Sequence, residues 1–526
     1  MGIYLNQGND SFQSSINSEI YIDKTELIAY TNRVLGSKQK RICVSRPRRF
    51  GKSMAAEMLS AYYDKSCDSE ELFKHMKIFQ NPTFKKHLNK YDVLHIDVQW
   101  IRSNVKSGGE AVEMLQKEVI RELWEAYPEY IEKEDTMLPV CLAKINNATG
   151  IKFVIIIDEW DCLFREDKYD EKAQQEYVAL LRGLFKGTQS EKFILLAYIT
   201  GILPIKKYGT ESALNNFNEF TMLEPDMLAD YVGFNEDEVH DLCKKYSVDF
   251  EETKNWYDGY QFYGKSHVYS PKSVVDAMLR RRIGNYWTSS ETYESLKVYI
   301  SMNYEGLKDD IIFMLGGGRC KIDTSTFEND MTSFQGKDDV LTLLIHLGYL
   351  AYDNTKEEIY IPNEEVRLAF TKAIKKSGWQ DVTDAISASE TLLAATLQGD
   401  ERAVEEGIDK VHMENVSILS YNDENSLSCV IMLAYYSAVS DYIKIRELPT
   451  GKGFADVVFL PKKHSDKPAL LVELKWDKNA EGAIKQIKEK KYVSSLKDYA
   501  GDILMVAINY DKKSKVHQCR IEKVCK

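Results

Sequence analysis

Residues 40–53, KRICVSRPRRFGKS, followed at once by MAAEMLSAYY, decide the reading of this chain. Lys40 to Ser45 is a short β-like run, and the residues after Ser53 are good helix formers. A strand, a loop, Gly-Lys-Ser and a helix form a phosphate-binding layout. In it, backbone N–H groups cradle phosphate at a helix N-terminus, the lysine meets the β- and γ-phosphates, and the serine hydroxyl binds Mg²⁺. Arg49, Phe50, Gly51, Lys52 and Ser53 are therefore the candidate residues for ATP, with Ser53 also a metal ligand. The loop departs from G-x-x-x-x-G-K-[ST]: Arg46 stands at the first glycine position, and Pro47 lacks a backbone donor. Arg46, Arg48 and Arg49 either stabilise phosphate charge or are solvated loop arginines.

A second segment fits the first. Residues 151–160, IKFVIIIDEW, form a continuous apolar run ending in two acids, the pattern of a parallel strand buried on both faces. Acids at the C-terminal end of such a strand sit where α/β sheets bind ligands. Asp158 would hold Mg²⁺ through water, and Glu159 would polarise an attacking water. A structural alternative is a pair of helix-capping acids after a core strand. Asp92 to Val98 and Lys192 to Ile199 read as further strands, the latter ending at Thr200-Gly201. The expected fold is a parallel α/β sheet in which Lys52 and Asp158 meet at the ends of neighbouring strands.

Near the other end, FADVVFL (454–460) and ALLVELK (469–475) read as two strands joined by the polar PKKHSDKP. Side chains alternate along a strand, so Glu473 and Lys475 share a face. Asp456 and Glu473 on paired strands can grip Mg²⁺ or Mn²⁺, and the Lys475 ammonium can orient or deprotonate a water beside it, which is a phosphodiester-cutting arrangement. Replacing Asp456 or Lys475 is expected to abolish cutting without unfolding the protein. The plainer alternative is an edge strand with solvated charges. Residues 444–526 hold 19 Lys and Arg against 11 Asp and Glu in a chain of net charge −12, so the basic end coincides with this hairpin, which suits phosphate binding; a lysine-rich solvated surface is the alternative.

The phrases SRPRRFGKS, IIIDEW and the D…ExK hairpin, in this order, resemble proteins that pair an AAA-like ATPase with a PD-(D/E)XK nuclease-superfamily domain. The resemblance covers nearly the whole chain. It implies an α/β fold with a P-loop (AAA-like) parallel-sheet domain over 1–215 and a helical middle over 216–377, whose own helix, strand, strand, helix pattern is compatible with a winged-helix-like module. A helical connector and an α/β PD-(D/E)XK nuclease-like domain would follow over 378–526. It also implies that Thr200 senses the γ-phosphate and that Tyr21-Ile-Asp23-Lys24-Thr25 contributes to the nucleotide pocket. Gln486, on a helix after the second strand, would join the catalytic set with Lys490 on the same helical face, and Glu447 would be an additional acid. The catalytic residues would then be Glu159, Asp456, Glu473, Lys475 and Gln486. The implied function is an ATP-hydrolysing protein coupled to a metal-dependent nuclease acting on nucleic acid, DNA before RNA, with defence against mobile DNA as a suggested role. The competing reading is an ATP-controlled switch whose nuclease-like domain grips nucleic acid or a partner without cutting. A small-molecule kinase is disfavoured, because Asp-Glu after a long buried strand suits water activation.

In the middle region, the aromatics of WYDGYQF around Trp256 and of VYSPKSVVDAM from Val268 are expected in the core. His346 is expected to be a hydrogen-bonded core histidine, and Gly316 to Gly318 a loop. LTLLIHLGYLAYD and EEIYIPNEEVRLAF read as helix, strand, strand, helix. Nine cysteines without a C-x-x-C pair point to neither a zinc ribbon nor a disulfide framework. No apolar run reaches membrane-spanning length, and the opening MGIYLNQGND lacks a signal-peptide layout. The expectation is a cytoplasmic protein without a membrane partner, with monomer and homo-oligomer both open.

Overall fold

The structure is a computed structural model. It describes residues 2–524 apart from 206, 209–210, 213, 263–265, 288–292, 303, 329–330, 416–430, 433, 451–452, 462–465, 477–479, 481–483, 485–500 and 512. Among these, no helix is long and apolar enough to cross a membrane. The chain divides into two compact units, residues 1–250, 258–282 and 322–357 in the first, and 251–257, 283–321 and 358–526 in the second.

The first unit is built on five parallel strands: β1 (Arg41–Ser45), β2 (Asp92–Asp97), β3 (Phe153–Asp158), β4 (Ile194–Gly201) and β5 (Asn218–Phe220). Every residue of β1 and β3 is buried, which explains their nearly unbroken apolar sequence. Helices α1 (Lys52–Tyr63), α2 (Gly108–Ala126), α3 (Leu138–Thr149), α4 (Cys162–Glu166) and α5 (Glu171–Phe185) connect the strands. One large core gathers Leu115, Leu123, Leu142 and Leu181 from these helices against Ile155, Ile157 and Ile199. The strand order is β2-β3-β4-β1-β5. The phosphate-loop strand and the Asp-Glu strand are therefore not neighbours, contrary to the sequence expectation. β4 lies between them, pairing Thr200 with Val44 on one side and Ile199 with Ile157 on the other. An apolar run announces that a strand is buried but carries no information about which strand it pairs with. The fifth strand also lies beyond the expected boundary at residue 215.

The same unit continues through α6 (Glu236–Tyr246), β6 (Tyr260–Phe262), β7 (Ser266–Tyr269), α7 (Pro271–Arg280) and α8 (Lys337–His346). Helix α6 opens with a capping box, Asn235 accepting from the Glu238 N–H and Glu238 accepting from the Asn235 N–H. Residues Phe234–Asn235, β7 and β6 form a small antiparallel sheet that the reading of this region as mostly helical did not include. Tyr260 and Phe262 are buried, as expected of core aromatics. His346 is buried too, but among the described residues neither ring nitrogen has a hydrogen-bond partner, so it is a core histidine held by packing against Phe327. The expected order helix, strand, strand, helix is present as α8, Ala351–Asp353, Glu358–Tyr360 and α9 (Glu364–Ser377), and Gly316 to Gly318 lie in a loop.

The second unit contains α10 (Gln380–Gln398), α11 (Glu401–Asn415) and the strands β8 (Tyr442–Thr450), β9 (Gly453–Pro461), β10 (Ala469–Trp476), β11 (Ile503–Asp511) and β12 (Val516–Val524). The sheet follows chain order, with β10 and β11 parallel and the other pairs antiparallel. The acidic stretch expected as a connector does more than connect. Glu401, Glu405 and Asp409, one turn apart on α11, accept the backbone N–H groups of Ile521, Cys519 and His517 at 2.8–3.0 Å. Alternate amides of the last strand are thus satisfied by a comb of carboxylates, which closes that edge of the sheet to further strands.

Candidate functional site

The loop after β1 is shaped by two residues with left-handed backbone, Arg49 at φ 67° and Gly51 at φ 88°. Lys52 and Ser53 then open α1. The buried Lys52 Nζ donates to the Pro47 carbonyl at 3.1 Å and stands 3.7 Å from Glu159 Oε1. Ser53 and Asp158 line the same cavity although β4 lies between their strands, and the Ser53 hydroxyl acts on the Asp158 carboxyl. Burial raises the Asp158 carboxyl to about 7, with Glu159 and Asp97 adding to the rise and Ser53 and Lys52 opposing it. Two hard oxygen donors side by side, one of them a carboxyl whose charge is poorly compensated, fit a Mg²⁺ ion bound with waters and phosphate oxygens.

These residues line a cavity of about 840 Å³ within the first unit, together with Arg48, Arg49, Phe50 and Gly51. The opening segment reaches it through Tyr21, Ile22 and Lys24, whereas Asp23 accepts from Thr25 and from the Lys77 N–H instead. Its far wall comes from Tyr231, Phe234, Pro271, Lys272 and Val275, about 180 to 220 residues after the loop, which no local motif announces. Thr200 is fully buried in β4 and does not line the cavity.

Arg46 is neither solvated nor in the cavity. It is fully buried, donates through Nη1 to the carbonyls of Ser45, Phe220 and Thr221, and lies 5.4 Å from the Phe262 ring centroid. Burial lowers its guanidinium to about 10. The residue at the first glycine position therefore anchors the loop to the end of β5. Arg48 and Arg49 are exposed and line the cavity, as phosphate-facing arginines would. Sequence reading also missed Asp161 and Arg165, which pair with each other, while Arg165 also pairs with Glu159. Their i, i+4 spacing in DEWDCLFR was the available signal.

In the second unit, Glu473 and Lys475 are 1 % and 7 % exposed, and Lys475 Nζ donates to Glu473 Oε1 at 2.8 Å. β10 lies between β9 and β11, so the reading of an edge strand with solvated charges is wrong. The expectation that Lys475 contributes little to the fold also needs correction, since removing it leaves a buried carboxylate. Asp456 lies on β9 beside Val457, which pairs with Val472, the residue before Glu473. The side chains of Asp456 and Glu447, and the whole of Gln486 and Lys490, lie outside the described residues. Among the described residues, no group of three or more His, Cys, Asp or Glu is arranged to hold a metal.

Residues 7–210 match the family described as "Predicted AAA-ATPase", and residues 422–519 match the PD-(D/E)XK nuclease superfamily. A curated relative, the "Uncharacterized protein in vnfD 5'region" of Azotobacter chroococcum mcd 1, is 23% identical over 254 residues, and the match spans 47% of each chain. Among solved structures, the Aeropyrum pernix ORC2 protein in ADPNP-ADP complexes is similar at 11% identity and TM-score 0.32, over 70% of this chain and 98% of that one. Cdc6p from Pyrobaculum aerophilum is similar at 12% identity and TM-score 0.24, over 69% and 98%. With the loop, the acidic strand and the mixed C-terminal sheet in place, residues 7–210 belong to the predicted AAA-ATPase family and residues 422–519 to the PD-(D/E)XK nuclease superfamily.

Proposed function

We propose that the first unit binds and hydrolyses ATP, and that its nucleotide state controls a metal-dependent nuclease carried by the C-terminal domain. The observation that carries the ATPase reading is the meeting of Ser53 with Asp158 and of Lys52 with Glu159 in one cavity. Lys52 and the N–H groups at the start of α1 bind the phosphates, and Ser53 and Asp158 would hold Mg²⁺. The chemistry that ion supplies is neutralisation of β- and γ-phosphate charge. Glu159 orients the water that attacks the γ-phosphorus and takes its proton, while ADP leaves. Lys52→Ala is expected to lose most nucleotide affinity, and Glu159→Gln to bind ATP without hydrolysing it. Calorimetry at millimolar nucleotide checks the first, and no ATP or GTP binding by the wild type would overturn the reading.

In the nuclease, Asp456 and Glu473 would hold Mg²⁺ or Mn²⁺, Lys475 would orient the attacking water, and Gln486 would complete the site. The basic C-terminal composition supports a nucleic-acid substrate, DNA before RNA, and joining an ATPase to a nuclease suits defence against mobile DNA. The cytoplasm, and a homo-oligomer, are the proposed setting. One observation favours a non-cutting switch: the Lys475 ammonium is engaged by Glu473 below the surface. Cleavage assays on single- and double-stranded DNA and RNA, with metal and with or without ATP, separate the two. Cutting that is lost in Asp456→Ala supports the nuclease, and binding without cutting in every nucleotide state supports the switch.

A further inference from the structure

The backbone of Glu159 is left-handed, at φ 52°, a conformation that residues with a side chain seldom adopt and keep only where their surroundings hold them. What surrounds it is specific. Arg165 Nη2 pairs with Glu159 Oε2, and Arg165 Nε pairs with Asp161 Oδ2 at 3.1 Å, with the arginine side chain only 5 % exposed. The same Asp161 oxygen accepts the backbone N–H groups of Ile202 at 3.1 Å and Leu203 at 2.8 Å, the residues that leave β4. Trp160 N–H adds a bond to the Thr200 carbonyl at 3.0 Å. Gly201 permits this approach, since a Cβ there would lie 2.6 Å from Asp161 Oδ1 and 2.8 Å from Trp160 Cδ1.

Resting on the ATP-hydrolysis reading, we propose that Arg165 is a positioning residue that fixes the Glu159 carboxylate and ties it, through Asp161, to the chain leaving β4. A surface ion pair would do no such thing, because both partners would be mobile and screened. Here one guanidinium spans two carboxylates, and its planar fork allows little rotation about either bond. Glu159 retains 19 % side-chain exposure and faces the cavity, so the oxygen not held by Arg165 remains directed toward Lys52 at 3.7 Å. A movement of residues 202–203 is transmitted through Asp161 and Arg165 to Glu159, the group that must meet the attacking water. The end of β4 thereby gains control of hydrolysis without touching nucleotide.

The test compares ATP affinity by calorimetry with steady-state hydrolysis for the wild type, Arg165→Met, Arg165→Lys and Asp161→Asn. Arg165→Met is expected to keep affinity and KM within about threefold while kcat falls about tenfold or more, the scale on which a misplaced catalytic group acts. Arg165→Lys restores part of the loss, since an ammonium can hold only one of the two carboxylates well. Asp161→Asn falls between, because its amide oxygen still accepts from Ile202 and Leu203 while holding the guanidinium less firmly. A kcat in Arg165→Met equal to wild type overturns the proposal, as does a parallel loss of affinity and kcat. If Arg165→Met does not fold, an unchanged kcat in both Arg165→Lys and Asp161→Asn overturns it. ATP binding without turnover by the wild type overturns the hydrolysis reading and this inference together, whereas wild-type turnover with an unaffected Arg165→Met overturns this inference alone.

Discussion

Phe50 of the phosphate loop and Tyr260 of the WYDGYQF segment meet edge to face, with ring centroids 5.5 Å apart and planes at 80°. Two residues later on the same face of β6, Phe262 receives the guanidinium of Arg46. The arginine and the phenylalanine of RPRRFGKS and the aromatics of YQF are thus one packed assembly. Tyr260 does not line the cavity, yet it fixes a residue that does. Tyr260→Ala is expected to weaken ATP binding about threefold to tenfold by loosening the loop, and to cost about 3 kcal/mol of stability from the lost ring. Tyr260→Phe, which keeps the ring and loses the bond to the Gly348 carbonyl, should bind ATP nearly normally. Calorimetry on the two variants reads the difference.

The Glu473–Lys475 pair sets a condition on any test of cutting. Removing one member of a buried ion pair leaves the other uncompensated, at a cost of about 3 kcal/mol or more, whereas removing both is far milder. Glu473→Gln and Lys475→Met are each expected to lower the unfolding midpoint of the C-terminal domain, and the double variant to recover most of the loss. Denaturant unfolding followed by hydrogen exchange on β10 and β11 measures it. Additive losses in the double variant would show that the pair does not stabilise the sheet as a unit.

His346 gives the molecule an acid-sensitive core. Burial lowers its imidazole to about 3, against an ordinary value near 6.5. The folded state therefore holds the neutral ring while the unfolded chain takes up a proton, so the stability it contributes is present above pH 6.5 and drains away as pH falls toward 3. At pH 4.5 the loss is about 2–3 kcal/mol relative to neutral pH. His346→Leu should flatten this limb, so that the variant gains on the wild type between pH 7.5 and pH 4.5. Thermal midpoints at the two values decide it.

On α11, Glu405 accepts the Cys519 N–H at 2.8 Å, on the outermost strand. Glu405→Ala leaves a buried amide without an acceptor, a loss of about 1–3 kcal/mol, and reopens a stretch of sheet edge. Faster amide exchange at His517, Cys519 and Ile521, with a tendency to self-associate, is the expected result. Glu405→Gln, whose amide oxygen can still accept, should behave close to wild type.

The sequence by itself determined several of the strands and which residue types stand at their ends as candidates for chemistry. KRICVS, IKFVIIIDEW, ALLVELK and the Gly51-Lys52-Ser53 turn were legible because period, β-branching and glycine act locally, within a few residues. Only the tertiary structure decided that β4 separates the phosphate loop from Asp158, that Arg46 is an anchor under the loop, that His346 has no hydrogen-bond partner among the described residues, and that Arg165 holds Glu159. It also brought Tyr231, Phe234 and Pro271 to the cavity and buried Lys475 against Glu473. The physical reason is common to all of these. Burial, strand order and ion pairing are set by chain segments that meet across long sequence separations, and the free energy of a buried charge depends on what surrounds it rather than on its neighbours in sequence.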